Sequence, residues 1–251
     1  MDSPDLTPFL TSWPYEVGRI NCRFVDVPDG RRVLQIRLDL GILQLETVGR
    51  PDGQRPEGHE SLLRLHRSSR ERWSLVHDDD RGFILTTEEC AALREEAVQY
   101  YHRYVALLVL EDFDGVIRDT SRNIEVFDLC RDHGADEQDR DILEQFRPYV
   151  IMMRSRAEAA KAVAAGEPKS AIAAVDRGLE EIRVAMDDAG AAERFEGSNE
   201  VQLLRGMRDM LVPRLPVSQR SELEERLRSA IAAENYELAA ILRDELRMLR
   251  E

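Results

Sequence analysis

TTEECAALREEAVQYYHRYVALLVLEDFDGVI, residues 86–117, is the stretch that decides the fold. Thr86, followed three positions on by Glu89, has the spacing of a capping box: the threonine hydroxyl takes a backbone N–H of the first turn, and the glutamate reaches back to the threonine N–H. Residues 91–110 continue with neither glycine nor proline, so nothing interrupts a long helix. Leu110-Glu111-Asp112-Phe113-Asp114-Gly115-Val116-Ile117 then reads as a tight turn into a second helix beginning near Asp112, with small and apolar residues packing across it. From residue 86 onward the character of the chain is helical.

The arrangement recurs downstream. Gly166-Glu167-Pro168-Lys169-Ser170-Ala171-Ile172 is a second such junction, with Pro168 in a first turn where its missing N–H costs nothing. Residues 137–165 and 168–186 read as an antiparallel pair, followed by a break at Gly190 and Gly197 and a last helix over 199–211. These junctions resemble the turns inside tetratricopeptide helical hairpins. Val116 and Ala171 are 55 residues apart, however, against a standard repeat of about 34, and the tryptophan, glycine and proline positions of that pattern are mostly unfilled.

Working back from residue 86, the pattern changes to period two. Ile20, Cys22 and Phe24 alternate with Arg19, Asn21 and Arg23 within residues 16–27, after an irregular start around Pro4, Pro8 and Pro14. Pro28-Asp29-Gly30 supplies a turn. Leu34, Ile36, Leu38 and Leu40 then oppose Gln35, Arg37 and Asp39 in a second strand. At Gly41 the phase slips to Leu43 and Leu45, as at a bulge or sharp bend. Three short antiparallel strands with one apolar face need a cover, which residues 60–73, with Leu62, Leu63, Leu65 and Trp73, would provide as a helix. The connecting residues 48–58 are too rich in glycine and proline for regular structure.

Composition sets the class. With 251 residues and 43% hydrophobic side chains, the chain can form one large or two modest domains and an appendage. A formal charge of −14 argues against a nucleic-acid-binding body, because phosphate contacts need clustered basic groups. Residues 1–84 carry 12 basic and 14 acidic groups, residues 85–217 carry 17 and 27, and residues 218–251 carry 6 and 8, so the middle holds the charge. Cys22, Cys90 and Cys130 have no short spacing, which indicates neither a disulfide framework nor a zinc ribbon. No run of eighteen apolar residues occurs and the first ten residues lack signal-peptide character, so a reducing cytoplasm, and no membrane, is expected.

Candidate chemistry is sparse. In the loop, Arg50 and Arg55 are expected to be exposed and, with His59, could hold an anionic or acidic partner; the alternative is a loop that simply wraps the sheet. His77-Asp78-Asp79-Asp80 offers metal-ligating atoms, but adjacent residues point in different directions, and a solvated loop is the plainer reading. His102, beside Tyr100, Tyr101 and Tyr104, suits helix packing more than general base chemistry. No glycine-rich phosphate loop and no serine elbow occurs. No catalytic residue, cofactor or metal is therefore expected.

The last segment, LEERLRSAIAAENYELAAILRDELRMLRE from Leu223, carries the one specific signature. Leu223, Leu227, Ala230 and Ile231 form a helical stripe. Asn235 is a good N-cap, and Glu237 stands where the helix dipole favours an anion, so a short antiparallel helical hairpin is expected. It resembles the UVR motif found at the end of the excision-repair protein UvrB, inside UvrC, and in bacterial Clp chaperones and their adaptors. Leu223, Leu227, Ala230, Ile231, Glu234, Tyr236, Glu237, Ala239, Ala240, Leu242, Arg243, Asp244, Leu246 and Leu249 carry the resemblance. Asn235 stands where an acid is common, and Leu246 where isoleucine is. The resemblance implies protein–protein contact and no catalysis; the helicase phosphate loop, nuclease domain and paired-cysteine zinc modules of those relatives have no counterpart here.

The residues make the same case independently. At roughly 100° per residue, Leu238, Ala239, Ile241, Leu242, Leu246, Met248 and Leu249 cover about half the second helix, more than the stripe of a little over ~100° that a surface helix needs. Leu238, Ile241 and Met248 are left over once the hairpin closes. Burying three such side chains yields roughly 4–9 kcal/mol, against an association cost of about 4–15 kcal/mol, so the hairpin needs a second contact or self-pairing.

The sequence thus points to an α+β protein of bacterial type. A small β domain occupies residues 1–84, a helical domain 85–212, a linker 213–217, where two prolines stop any helix, and a UVR-like hairpin 218–251. The function expected is a non-enzymatic adaptor or regulatory scaffold. Leu223, Leu227, Ile231, Tyr236, Leu238, Ile241, Leu242, Arg243 and Met248 would contact a partner's hairpin or a second copy of the chain. The alternatives are an enzyme with a site between sheet and helices near Arg50, Arg55 and His59, and an accessory factor in DNA excision repair.

Overall fold

The computed structural model describes residues 5–212 together with Leu227, Arg228, Ile231 and Arg243. The chain divides into two compact units, Met1–Asp209 and Met210–Glu251, so the sheet and the helices share the first. The expected linker lies outside the described residues, as does most of the expected hairpin.

Three antiparallel strands form the sheet in the order β1 (Asn21–Asp26), β2 (Arg32–Arg37), β3 (Ile42–Glu46). The turn at 28–30 closes as its residues dictate: Gly30 takes a φ of 84° and its N–H donates to Val27 O at 2.9 Å. At the second connection, the sharp bend is the one of the two readings at Gly41 that forms. No bulge is present; β2 ends at Arg37, and residues 38–41 make a turn in which Leu38 N donates to Gly41 O at 2.9 Å. Across β1–β2, even residues face even ones (Cys22 opposite Ile36, Phe24 opposite Leu34), whereas across β2–β3, Ile36 faces Leu43 and Leu34 faces Leu45. The phase slip is thus the register of a hairpin, since directly opposed residues share a face whatever their parity. Leu38 and Leu40 consequently leave the strand and are exposed.

The sheet is covered on both faces. α1 (Thr7–Ser12) forms in the segment read as irregular, Pro8 sitting harmlessly in its first turn. Behind α1 runs a polar row: Arg23 donates from Nε and Nη2 to Gln35 Oε1 at 3.1 and 3.0 Å, and Gln35 Nε2 donates to Gln44 Oε1 at 3.0 Å. The Arg23 guanidinium lies 4.0 Å from the Trp13 ring centroid and 5.3 Å from that of Phe9, a pair of cation–π contacts that shields charge on a half-covered face. Val33–Arg37 of β2 are therefore buried on both sides.

The apolar face packs on α3 (Thr87–Val109), where the Cys22 thiol meets Ala106 O at 3.6 Å. This corrects the expectation that residues 60–73 form the cover. That segment is helical, as α2 (Leu62–His77), but packs against α3. With Arg64, Arg67, Arg70 and Arg72 among its residues, α2 has too narrow an apolar stripe to cover a sheet.

The helical body follows the sequence closely. The Thr86–Glu89 capping box forms in both directions, at 3.2 and 2.8 Å. α4 (Phe113–His133) is capped by Asp112, which accepts from Gly115 N at 3.0 Å. α6 (Arg147–Ala164) and α7 (Pro168–Asp188) make the expected antiparallel pair, and α8 (Asn199–Leu211) comes after a 3-10 segment, Ala192–Gly197. One boundary is corrected: the helix read over 137–165 is α5 (Glu137–Asp141), a 3-10 turn at Glu144–Phe146, and α6. Pro148 is the reason. It lacks an N–H and its ring would clash with the preceding turn of a continuous helix, so it sits in the first turn of α6 instead. Among the described residues no helix is long and apolar enough to cross a membrane.

The helix-to-helix junctions share one physical device, the Schellman cap, in which an N–H two residues past the helix reaches back five positions. Asp112 N donates to Leu107 O at 3.0 Å, Glu167 N to Ala162 O at 2.8 Å and Ala191 N to Met186 O at 2.8 Å. The residue before each donor has positive φ: Glu111 at 59°, Gly166 at 75° and Gly190 at 65°. Such a cap is a general way to end a helix and does not by itself make a repeat.

α6 and α7 approach closely because Gly178 faces Ser155. A Cβ on residue 178 would lie 2.0 Å from Ser155 Oγ and 2.7 Å from Ser155 Cβ. Gly178→Ala is expected to destabilise the protein by about 1–3 kcal/mol through overpacking, despite the ~1 kcal/mol by which alanine favours a helix over glycine. Urea unfolding checks this, and an unchanged or raised midpoint would refute the close-approach argument.

Candidate functional site

Two helix faces that the fold buries carry charge. On α3, Leu93, Tyr100 and Leu107 form an inward stripe, and Glu96 and Arg103 lie on the same face, both fully buried. On α4, Asp119 and Asn123 do likewise. Burying ions without partners is costly, and the partners are found across the helix pair and in the loop after β3.

Arg103 donates to Asp119 from Nε at 2.6 Å and Nη2 at 2.8 Å, a two-pronged pair, and from Nη1 to the carbonyls of Glu46 at 2.9 Å and Gly49 at 2.8 Å. Arg118 adds a bond from Nε to Asp119 Oδ1 at 2.9 Å and one from Nη2 to Thr47 O at 3.1 Å. The fork geometry of arginine suits carboxylate and carbonyl at once. Through it, residues 46–49, which are outside regular structure for the most part, are tied to α3 and α4.

Glu96 organises the second half of the cluster. Its Oε2 accepts from Leu62 N at 2.9 Å and its Oε1 from Leu63 N at 3.4 Å, satisfying two free N–H groups of the first turn of α2. Ser61 Oγ caps a third, Arg64 N, at 3.3 Å. The same carboxylate pairs with Arg122 and, at 3.4 Å, with Arg50 Nε. The Tyr100 ring lies between guanidiniums, 4.0 Å from that of Arg122 and 4.7 Å from that of Arg103. Burial pushes the Tyr100 phenol up to about 12 and pulls Arg122 below the usual arginine range. Glu96 against Arg122, and the facing ring, hold the charge that burial disfavours.

The three loop residues singled out from sequence separate. Arg50 is not exposed: it turns inward, its Nε also 3.1 Å from Asp52 Oδ1, while Gln99 Nε2 donates to Asp52 Oδ2 at 3.1 Å. Its cation is used to bind the loop down to α3. Arg55 is exposed, ahead of a 3-10 turn at Pro56–Gly58, and His59 is half-buried. Of the other histidines, His77 stacks on Trp73 at 4.0 Å and meets Trp73 O at 3.0 Å. His102 packs beside Tyr101 at 5.4 Å, and burial lowers its pKa. His66 is buried with Nδ1 3.8 Å from Glu89 Oε1, and burial lowers its pKa as well. Among the described residues no three His, Cys, Asp or Glu side chains converge as a metal site.

A shallow groove of about 470 Å³ runs between α4, α6 and α7, floored by Ala162, Ala173 and Ala174. The charges at its rim pair with neighbours: Arg177 Nη2 donates to Glu158 at 2.9 Å, and Lys161 meets Asp114.

The second unit is where a relationship to known proteins lies. Residues 218–251 match the UvrB/uvrC motif family. This UVR match covers the segment that carried the resemblance in the sequence, and nothing upstream of it. No curated protein and no solved structure matches the chain. Within the UVR segment the described residues Leu227, Arg228, Ile231 and Arg243 are helical, Leu227 partly buried and the other three exposed. Ile231 has 53% of its surface in solvent. Leu223, Tyr236, Leu238, Ile241, Leu242 and Met248 lie outside the described residues.

Sequence reasoning missed the buried ion cluster, although a signal was present. Glu96 and Arg103 recur on the heptad of Leu93, Tyr100 and Leu107, and charges on an otherwise apolar stripe announce partners across it.

Proposed function

We propose that this protein is a non-enzymatic adaptor or regulatory scaffold that works by contact through its UVR segment. The body is tied together by internal ion pairs, and the C-terminal 34 residues, 218–251, dock on a partner's matching hairpin or on a second copy. The observation that carries this reading is the UVR match at residues 218–251, following a segment with prolines at 213 and 216. The exposure of Ile231, an apolar member of its first helical stripe, supports it. The acidic charge of −14 favours a protein partner over DNA.

The test compares the full chain with one ending at Pro216 and with full-length Ile231→Asp. Self-association is read by analytical ultracentrifugation and partner capture by affinity pull-down. A polar substitution at an interface anchor should weaken binding about tenfold or more, ~1.4 kcal/mol. Identical partner sets and an identical association state in all three proteins would eliminate the UVR segment as the docking element. Affinity for duplex DNA falling steeply with salt would restore the repair reading instead.

A further inference from the structure

We propose that Cys90 and Cys130 form a redox-sensitive dithiol that peroxide oxidises to an internal disulfide stapling α3 to α4. The two helices run antiparallel from the turn at Glu111, and their cross-pairs follow a constant register. Leu107 meets Gly115, Arg103 pairs with Asp119, and Asn123 Nδ2 donates to Ala97 O at 3.0 Å. Each step back along α3 is matched by a step forward along α4. Continuing that ladder brings Cys90, in the first turns of α3, opposite Cys130, in the last turns of α4. Both side chains belong there to one buried cluster, with Leu85, Leu93, Val126 and Leu129. Just beyond, Leu85 N donates to His133 O at 2.8 Å and Ala135 N to Leu85 O at 3.0 Å, closing the end of the pair.

The environments of the two sulfurs differ in the sense a dithiol needs. The Cys90 thiol is lowered from the ordinary cysteine value by the Cys130 thiol, while Cys90 and burial push Cys130 up. Cys90 is the better thiolate and stands near a helix N-terminus, which favours an anion. Cys130 is positioned to resolve. The Cys90 thiolate attacks one oxygen of hydrogen peroxide, the O–O bond breaks, and hydroxide leaves and takes up a proton as water. Cys130 sulfur then displaces the hydroxyl of the Cys90 sulfenic acid, the S–S bond forms, and a second water leaves with the Cys130 proton. Two electrons pass from the thiols to peroxide. Both sulfurs are fully buried, so bulky thiol reagents are excluded and a small oxidant enters on transient opening of the helix ends.

The test uses the full chain with hydrogen peroxide, intact-mass and peptide mass spectrometry, and thiol titration after denaturation. The reduced protein should show all three thiols, Cys22, Cys90 and Cys130, and the oxidised protein one. The mass should fall by two hydrogens in a peptide pair containing residues 90 and 130. Cys22→Ser should leave this unchanged, and Cys130→Ser should give a sulfenic acid at Cys90, trapped when dimedone is added with denaturant. The disulfide should raise Tm by roughly 5–10 °C if it fits the native helix pair. Oxidation confined to Cys22, over-oxidation of Cys90 without cross-linking in the unaltered chain, or a lowered Tm on cross-linking would overturn the proposal.

Discussion

Asp119→Ala is expected to destabilise the first unit by about 3–5 kcal/mol, the cost of leaving a buried cation without its partner. Asp119 and Arg103 are both essentially without solvent, so screening does not soften the loss. The alanine would strand the Nε and Nη2 donors of Arg103 while leaving its bonds to the Glu46 and Gly49 carbonyls in place. The double replacement Arg103→Met with Asp119→Leu should therefore cost less than the sum of the two single replacements, by about 1–3 kcal/mol, since neither ion is then left alone. Chemical denaturation of the unaltered protein, Asp119→Ala, the two single replacements and the double one measures both quantities. Additive effects, or a loss under ~1 kcal/mol for Asp119→Ala, would show that the pair is not closed to water.

Glu96→Ala should have a comparable effect, again about 3–5 kcal/mol, through a different route. It would leave Arg122 and Arg50 facing each other and would free the N–H groups of Leu62 and Leu63. Glu96→Gln keeps an acceptor for those N–H groups but removes the charge, so it should fall between alanine and the unaltered protein. Hydrogen exchange separates the two contributions. The first turn of α2 should lose protection in the alanine variant and retain most of it in the glutamine variant. Equal exchange in both would mean that α2 does not depend on Glu96 for its start.

The two predictions bear on how the adaptor reading works. An adaptor must hold its shape while its docking segment changes partners, and the ion cluster ties three otherwise separate parts together. These are the loop after β3, the start of α2, and the α3–α4 pair. Surface ion pairs such as Arg183 with Glu180 contribute little in comparison, because both groups remain solvated.

Much was legible in the sequence where local chemistry decides the outcome. Thr86 and Glu89 start α3, Pro28-Asp29-Gly30 turns β1 into β2, Gly166 and Pro168 divide α6 from α7, and period-two alternation gives the strands. Each is a matter of a few neighbouring dihedrals and hydrogen bonds. Where one residue has two local meanings, the sequence left the outcome open or misled. The slip at Gly41 is compatible with a bulge or a turn, and only the partner strand distinguishes them. Pro148 inside an apparently continuous pattern stops the helix there and restarts it.

What the sequence determined alone is therefore the α+β class, the order of the three strands and the long helices, the acidic balance and the UVR signature of residues 218–251. The tertiary structure decided which helix covers the sheet, that Arg50 points inward, that Glu96 gathers cations from two distant segments, that Asp119 meets Arg103, and that Cys90 and Cys130 share one buried cluster. The physical reason is range. A cap or turn is fixed within four residues, whereas a buried charge or thiol takes its partner from whatever the packed helices bring opposite it.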